Sequence, residues 1–170
     1  MVKTHRELTG PPEQVAAVLR ERIYGGITCL STLLLLVRPE AETTAWRVFA
    51  DVAVSTGGLW AASLLADYVA HLAAHGSRPN GQEAVSTLRA SGQILEAAFV
   101  PLLLLALAGL GVMRLEASVR AGIWTSIISL GLFALLAVRR TTLGPWQRAL
   151  VVAALLGLGA LVVLLKTLAH

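Results

Sequence analysis

Residues 46–75, WRVFADVAVSTGGLWAASLLADYVAHLAAH, constrain this chain more than any other stretch. About 20 apolar residues suffice to cross a bilayer as a helix, and this run exceeds that length. Yet it carries Asp51, Asp67, His71 and His75. An ionisable group at membrane depth is costly, so each one is a candidate functional group. A helix turns about 100° per residue. Asp67, His71 and His75, spaced i, i+4, i+8, therefore stay on one side, and Ser63, Trp60 and Thr56 continue the same stripe backwards. Asp51 falls on the opposite face near the other membrane surface. With Arg47 four residues before it, it reads as a surface ion pair.

The remainder of the chain supports a membrane class. Of its 170 residues 56% are hydrophobic and only 14% are charged, with a mean hydropathy of +0.72. Soluble domains are about one-quarter charged. The net charge of +4 is spread over short connecting segments rather than gathered into a basic run with aromatics, which argues against nucleic acid as a partner. The single cysteine, Cys29, lies in an apolar segment. It excludes a disulfide within the chain and reads as a packed core residue. The polar first 22 residues, with no small-residue cleavage site after them, argue against a cleaved signal peptide. An inner or plasma membrane is the expected location.

Taken in order, residues 1–10 form a polar tail and residues 11–170 a single transmembrane domain. Pro11, Pro12 and Glu13 suit a helix's first turn. Residues 11–22 are either interfacial or continuous with a first span over 19–37. In that span Glu21, Tyr24, Gly25, Thr28 and Thr32 share a face, a narrow seam of small and polar groups suited to close helix contact. Thr43 or Thr44 caps the second span, 46–71, and Gly76 closes its helix. Asn80 and Glu83 have capping-box spacing, so a third helix begins near Gly81. Its first turns are polar, its span covers 92–113, and Pro101 predicts a kink. A fourth span covers 119–138 and a fifth 146–168. Trp46 and Trp146 read as interfacial anchors. The predicted fold is all-α: a polytopic bundle of five transmembrane helices.

Loop charges orient it. With the N-terminus inside, the inner segments hold Lys3, Arg6, Arg20, Arg22, Arg78, Arg89, Arg139, Arg140 and Arg148. The outer ones hold only Arg38, Arg47, Arg114, Arg120 and Lys166. The excess predicts a cytoplasmic N-terminus.

That topology gathers ionisable groups of three helices in the cytoplasmic half: Asp67, His71 and His75 on the second, Arg89, Gln93 and Glu96 on the third, Glu21 on the first. Two carboxylates and an imidazole can bind a divalent metal ion, and Asp67, His71 and Glu96 are the candidate ligands. The same groups with Glu21 can instead relay protons. Tyr24 would stand at the mouth, and Thr28, Thr56, Trp60, Ser63, Gln93 and Arg89 would line the path. In the competing reading the set is a structural network, with Arg89 neutralising Glu96 or Asp67. No HExxH, Gly-rich phosphate loop or GxSxG is present, so no enzymatic activity is expected. Two functions follow from the sequence. One is ion transport (of protons or a divalent metal) by a homo-oligomer, most simply a dimer. The other is a non-transporting membrane scaffold or accessory subunit. Transport requires Asp67 and Glu96 to face each other across a wettable gap, whereas the scaffold requires each carboxylate paired and buried.

Overall fold

The computed structural model describes residues 12–36, 43–139, 144–150, 152–154 and 157. The tail, most of the first and fourth loops and most of the expected fifth span lie outside these residues. Among the described residues all regular structure is helical. The four long helices are α1 (Pro12–Leu36), α2 (Ala45–His75), α3 (Gly81–Gly109) and α4 (Leu115–Arg139).

Local chemistry sets their ends. Residues 12–22 continue into the first apolar run as one helix, with Glu13 in its first turn. Thr44 caps α2, its hydroxyl accepting the Arg47 N–H at 3.3 Å. Gly76 ends that helix at φ 64°, a left-handed conformation that costs glycine nothing. Asn80 and Glu83 form the reciprocal capping box at the start of α3. That helix continues through Pro101 but stops at Gly109 rather than near residue 113. Gly111 sits at φ 77° and turns the chain into α4, which starts four residues before the expected span.

Three of the helices, α2, α3 and Leu115–Val138 of α4, are long and apolar enough to cross a membrane. In lipid, a helix is one of two structures that satisfy every backbone polar group internally. α1 is not among these three, since Glu13, Arg20, Glu21 and Arg22 fill its first half.

α1 and α3 form the centre and touch all other helices, while α2 and α4 lie on opposite sides and scarcely meet. The central contact is close. A Cβ on Gly25 would stand 2.7 Å from the Cα and carbonyl oxygen of Ile94, so only glycine lets the two backbones approach this far. α3 presents a buried stripe of Ser91, Ile94, Ala98, Pro101 and Leu105, while α2 buries only Val48, Val52 and Thr56. The apolar core joins Cys29, Leu33, Val48, Val52, Ala98, Leu105 and Val119 from all four helices. These positions belong to the last half of α1 and α3 and the first half of α2 and α4. This apolar cluster therefore occupies one end of the bundle, and the arginine–carboxylate pairs that join different helices lie at the other.

Candidate functional site

At the charged end, α1 sends two guanidinium groups in different directions. Arg20 and Arg22 are two residues apart, about 200° around a helix, so they serve different neighbours. Arg20 donates from Nε (3.1 Å) and Nη2 (2.8 Å) to one carboxylate oxygen of Glu21. The other oxygen of Glu21 accepts from the Ser63 hydroxyl of α2 at 2.9 Å. Glu21 is only 2% exposed, and both its oxygens are thus engaged. Arg20 also lies 3.8 Å from Asp67, so one cation serves two carboxylates.

Arg22 turns towards α3 and α4. Its Nη1 donates to Gln93 Oε1 at 2.7 Å and to Glu96 Oε2 at 3.2 Å. Its guanidinium carbon stands 4.2 Å from the centre of the Phe133 ring, a cation–π arrangement that favours a desolvated cation. Gln93 is buried, whereas Glu96 remains exposed. Arg22 joins three helices through one side chain.

The expected ligands are therefore divided. Asp67 lies beside Arg20, Glu96 beside Arg22, and His71 Nε2 is 3.7 Å from Glu83 Oε2 across the α2–α3 turn. Among the described residues no three His, Cys, Asp or Glu side chains converge to hold a metal ion, so the proposed Asp67–His71–Glu96 set is not gathered. The neutralising cations also differ from expectation. Arg20 and Arg22 occupy the carboxylates, while Arg89 is exposed and has no hydrogen bond or ion pair among the described residues. The reason is the close α1–α3 contact at Gly25, which brings the first half of α1 against both neighbouring helices.

Part of the expected polar path and its surroundings bonds within its own helices. Thr56 donates to the Val52 carbonyl at 2.7 Å, and Ser31 and Thr32 both donate to the Thr28 carbonyl at 2.9 Å. Such bonds satisfy a hydroxyl in apolar surroundings without a partner helix. The Trp60 indole N–H is buried with no hydrogen-bond partner among the described residues. Tyr24 is exposed, away from the Asp67 cluster. Ser63 and Gln93 do reach other helices, as acid and arginine partners respectively. His75 stacks on His71 with ring centres 4.4 Å apart at the exposed end of α2. Arg47 and Asp51 form no ion pair among the described residues; the Arg47 backbone serves the Thr44 cap.

Between the first half of α1 and the α2–α3 hairpin lies an open cleft of about 680 Å³. Glu13, Arg20, Asp67, His71, Ser86, Thr87 and Arg89 line it among others. It reaches the Arg20 cluster but not Arg22 or Glu96.

Sequence reasoning used Arg20 and Arg22 only to orient the chain, and did not single out Phe133. The usable signal was the run Arg20–Glu21–Arg22 inside a helical segment, where consecutive charges must face different neighbours. The chain matches no protein-family model, no curated protein and no solved structure.

Proposed function

We propose that the protein is a non-transporting integral membrane subunit, a scaffold or accessory protein, whose charged residues lock one end of the helix bundle. In this reading it is not an enzyme, carries five spans and lies in an inner or plasma membrane with a cytoplasmic N-terminus. The observation that carries it is the division of the acidic residues between two arginines: Glu21 and Asp67 with Arg20, Glu96 with Arg22. A cation pathway through Asp67 would have to pass the Arg20 guanidinium. Two unit charges about 4 Å apart repel by roughly 4 kcal/mol at an effective dielectric constant of about 20, as much as one carboxylate attracts. The arginine therefore offsets the attraction of one of the two carboxylates it serves and stands as a barrier on the path.

Self-association as a homodimer belongs to the same reading. Gly58, Ala62, Ala66, Ala70 and Ala74 recur every fourth residue of α2 and are all exposed, a small-residue face of the kind transmembrane helices use to pack together. The competing reading, proton or divalent-metal transport through Asp67, His71, Glu96 and Glu21, has two observations in its favour: the cleft reaches Asp67 and His71, and Glu96 is paired but exposed rather than buried.

Flux measurements in proteoliposomes, for protons and for divalent metals, decide between them. The scaffold reading expects wild-type flux no greater than in protein-free vesicles, and lower melting temperatures for Asp67→Asn and Glu96→Gln. Wild-type flux abolished in both variants, with their fold intact, would establish transport instead.

A further inference from the structure

The cleft is lined by two cations, Arg20 and Arg89, and two carboxylates, Glu13 and Asp67. Arg20 is engaged with Glu21 and approaches Asp67. Arg89 and Glu13 have no hydrogen bond or ion pair among the described residues. The site thus holds a free donor and a free acceptor of opposite charge within one cavity of about 680 Å³. A bare divalent cation meets two guanidinium groups there, and a bare anion meets two carboxylates. A ligand carrying both charges satisfies all four.

Its depth narrows the chemistry. About 20 helical residues cross the hydrocarbon core. Counted from Trp46 at the far end of α2, the boundary falls beside Asp67. Counted back from Gly109 at the end of α3, the same boundary falls beside Arg89. The cleft therefore opens at the level of the lipid headgroups, where phosphate esters are concentrated.

We propose that this cleft binds a phosphodiester bearing an ammonium group, the chemistry of an aminophospholipid headgroup. Arg89 donates to the phosphate oxygens in the bidentate geometry that guanidinium favours. Arg20 adds positive potential from the cleft wall. Glu13 and Asp67 accept from the ammonium, and the Ser86 and Thr87 hydroxyls border the site. This site stands whether or not an ion crosses the protein, because it uses two side chains, Arg89 and Glu13, that have no hydrogen bond or ion pair among the described residues.

The test is native mass spectrometry of the full chain in detergent, titrated with dioleoyl phosphatidylethanolamine, with dioleoyl phosphatidylglycerol and with soluble glycerophosphoethanolamine. Wild type is compared with Arg89→Ala and Glu13→Gln. Both side chains lie free of protein partners among the described residues, so neither variant should change the lipid-free melting temperature. The ethanolamine lipid should bind about fivefold or more tightly than the glycerol lipid, and Arg89→Ala should weaken it about fivefold, since each charge-assisted pair contributes on that scale. Glu13→Gln should reduce the preference between the two lipids. Equal binding of the two lipids, or an unchanged affinity in Arg89→Ala, would overturn the proposal. If glycerophosphoethanolamine binds as tightly as the lipid and depends on Arg89, the site holds with a soluble phosphodiester as its source.

Discussion

The two ends of the bundle solve the problem of holding helices together in different ways. At one end Cys29, Leu33, Val48, Val52, Ala98, Leu105 and Val119 interlock with no charge among them. At the other, Arg20 and Arg22 reach from α1 into an ion pair with α2, hydrogen bonds and an ion pair with α3 and a cation–π contact with α4. Lipid tails are as apolar as leucine, so the first end gains chiefly from close packing rather than from removal of water. The second end gains direction: each guanidinium chooses its partners by geometry. The difference teaches that close packing here sets where the helices lie, while the arginines join the helices so placed by directed pairs.

Substitutions at the two ends sharpen the contrast. The largest loss is expected from Arg20→Met. It leaves the carboxylate of Glu21, which is almost wholly buried, with Ser63 as its one remaining hydrogen-bond partner among the described residues. Removing one member of a buried pair costs about 3–5 kcal/mol, and the half-exposed Arg20 side chain places the loss at the lower end of that range. It is read by denaturant titration in mixed micelles. An equal or smaller loss than for the apolar end would contradict the proposed lock. At that apolar end Leu33→Ala opens a cavity at a fully buried position, with an expected cost of about 2–5 kcal/mol whose lower half applies if the helices close over it. The same titration compares the two directly. Ser63→Ala should cost least, about 1–2 kcal/mol, because it removes one bond to an ionised oxygen while Arg20 remains in place. A loss as large as that of Arg20→Met would mean that the α1–α2 bond, not the cation, holds Glu21 buried.

The helix boundaries were readable because they depend on short-range chemistry. Thr44, Gly76, Asn80 and Glu83 act on backbone groups within four residues of themselves, so their spacing is enough. The seam through Gly25 was readable for a similar reason, since a glycine among small and polar residues on one helical face invites close approach. Tyr24 was assigned to that seam and lies exposed outside it, because it stands a full 100° from Gly25 on the helix. The end of α3 was misplaced by about four residues. Apolar composition continues through residues 110–113, and only the left-handed Gly111 shows that the helix has stopped.

The sequence by itself determined the chemical class of this protein. Long apolar segments, their caps and the concentration of ionisable groups towards one end are properties of consecutive residues. Which carboxylate each arginine takes was decided only by tertiary structure. Asp67 and Glu96 lie on neighbouring helices and are both compatible with a shared ion, with Arg89 or with separate arginines. The backbone contact of Gly25 with Ile94 fixes α1 between its neighbours and sends Arg20 to one carboxylate and Arg22 to the other. Long flexible side chains reach several partners from one position, so their pairing follows the helix packing and is not encoded in their spacing.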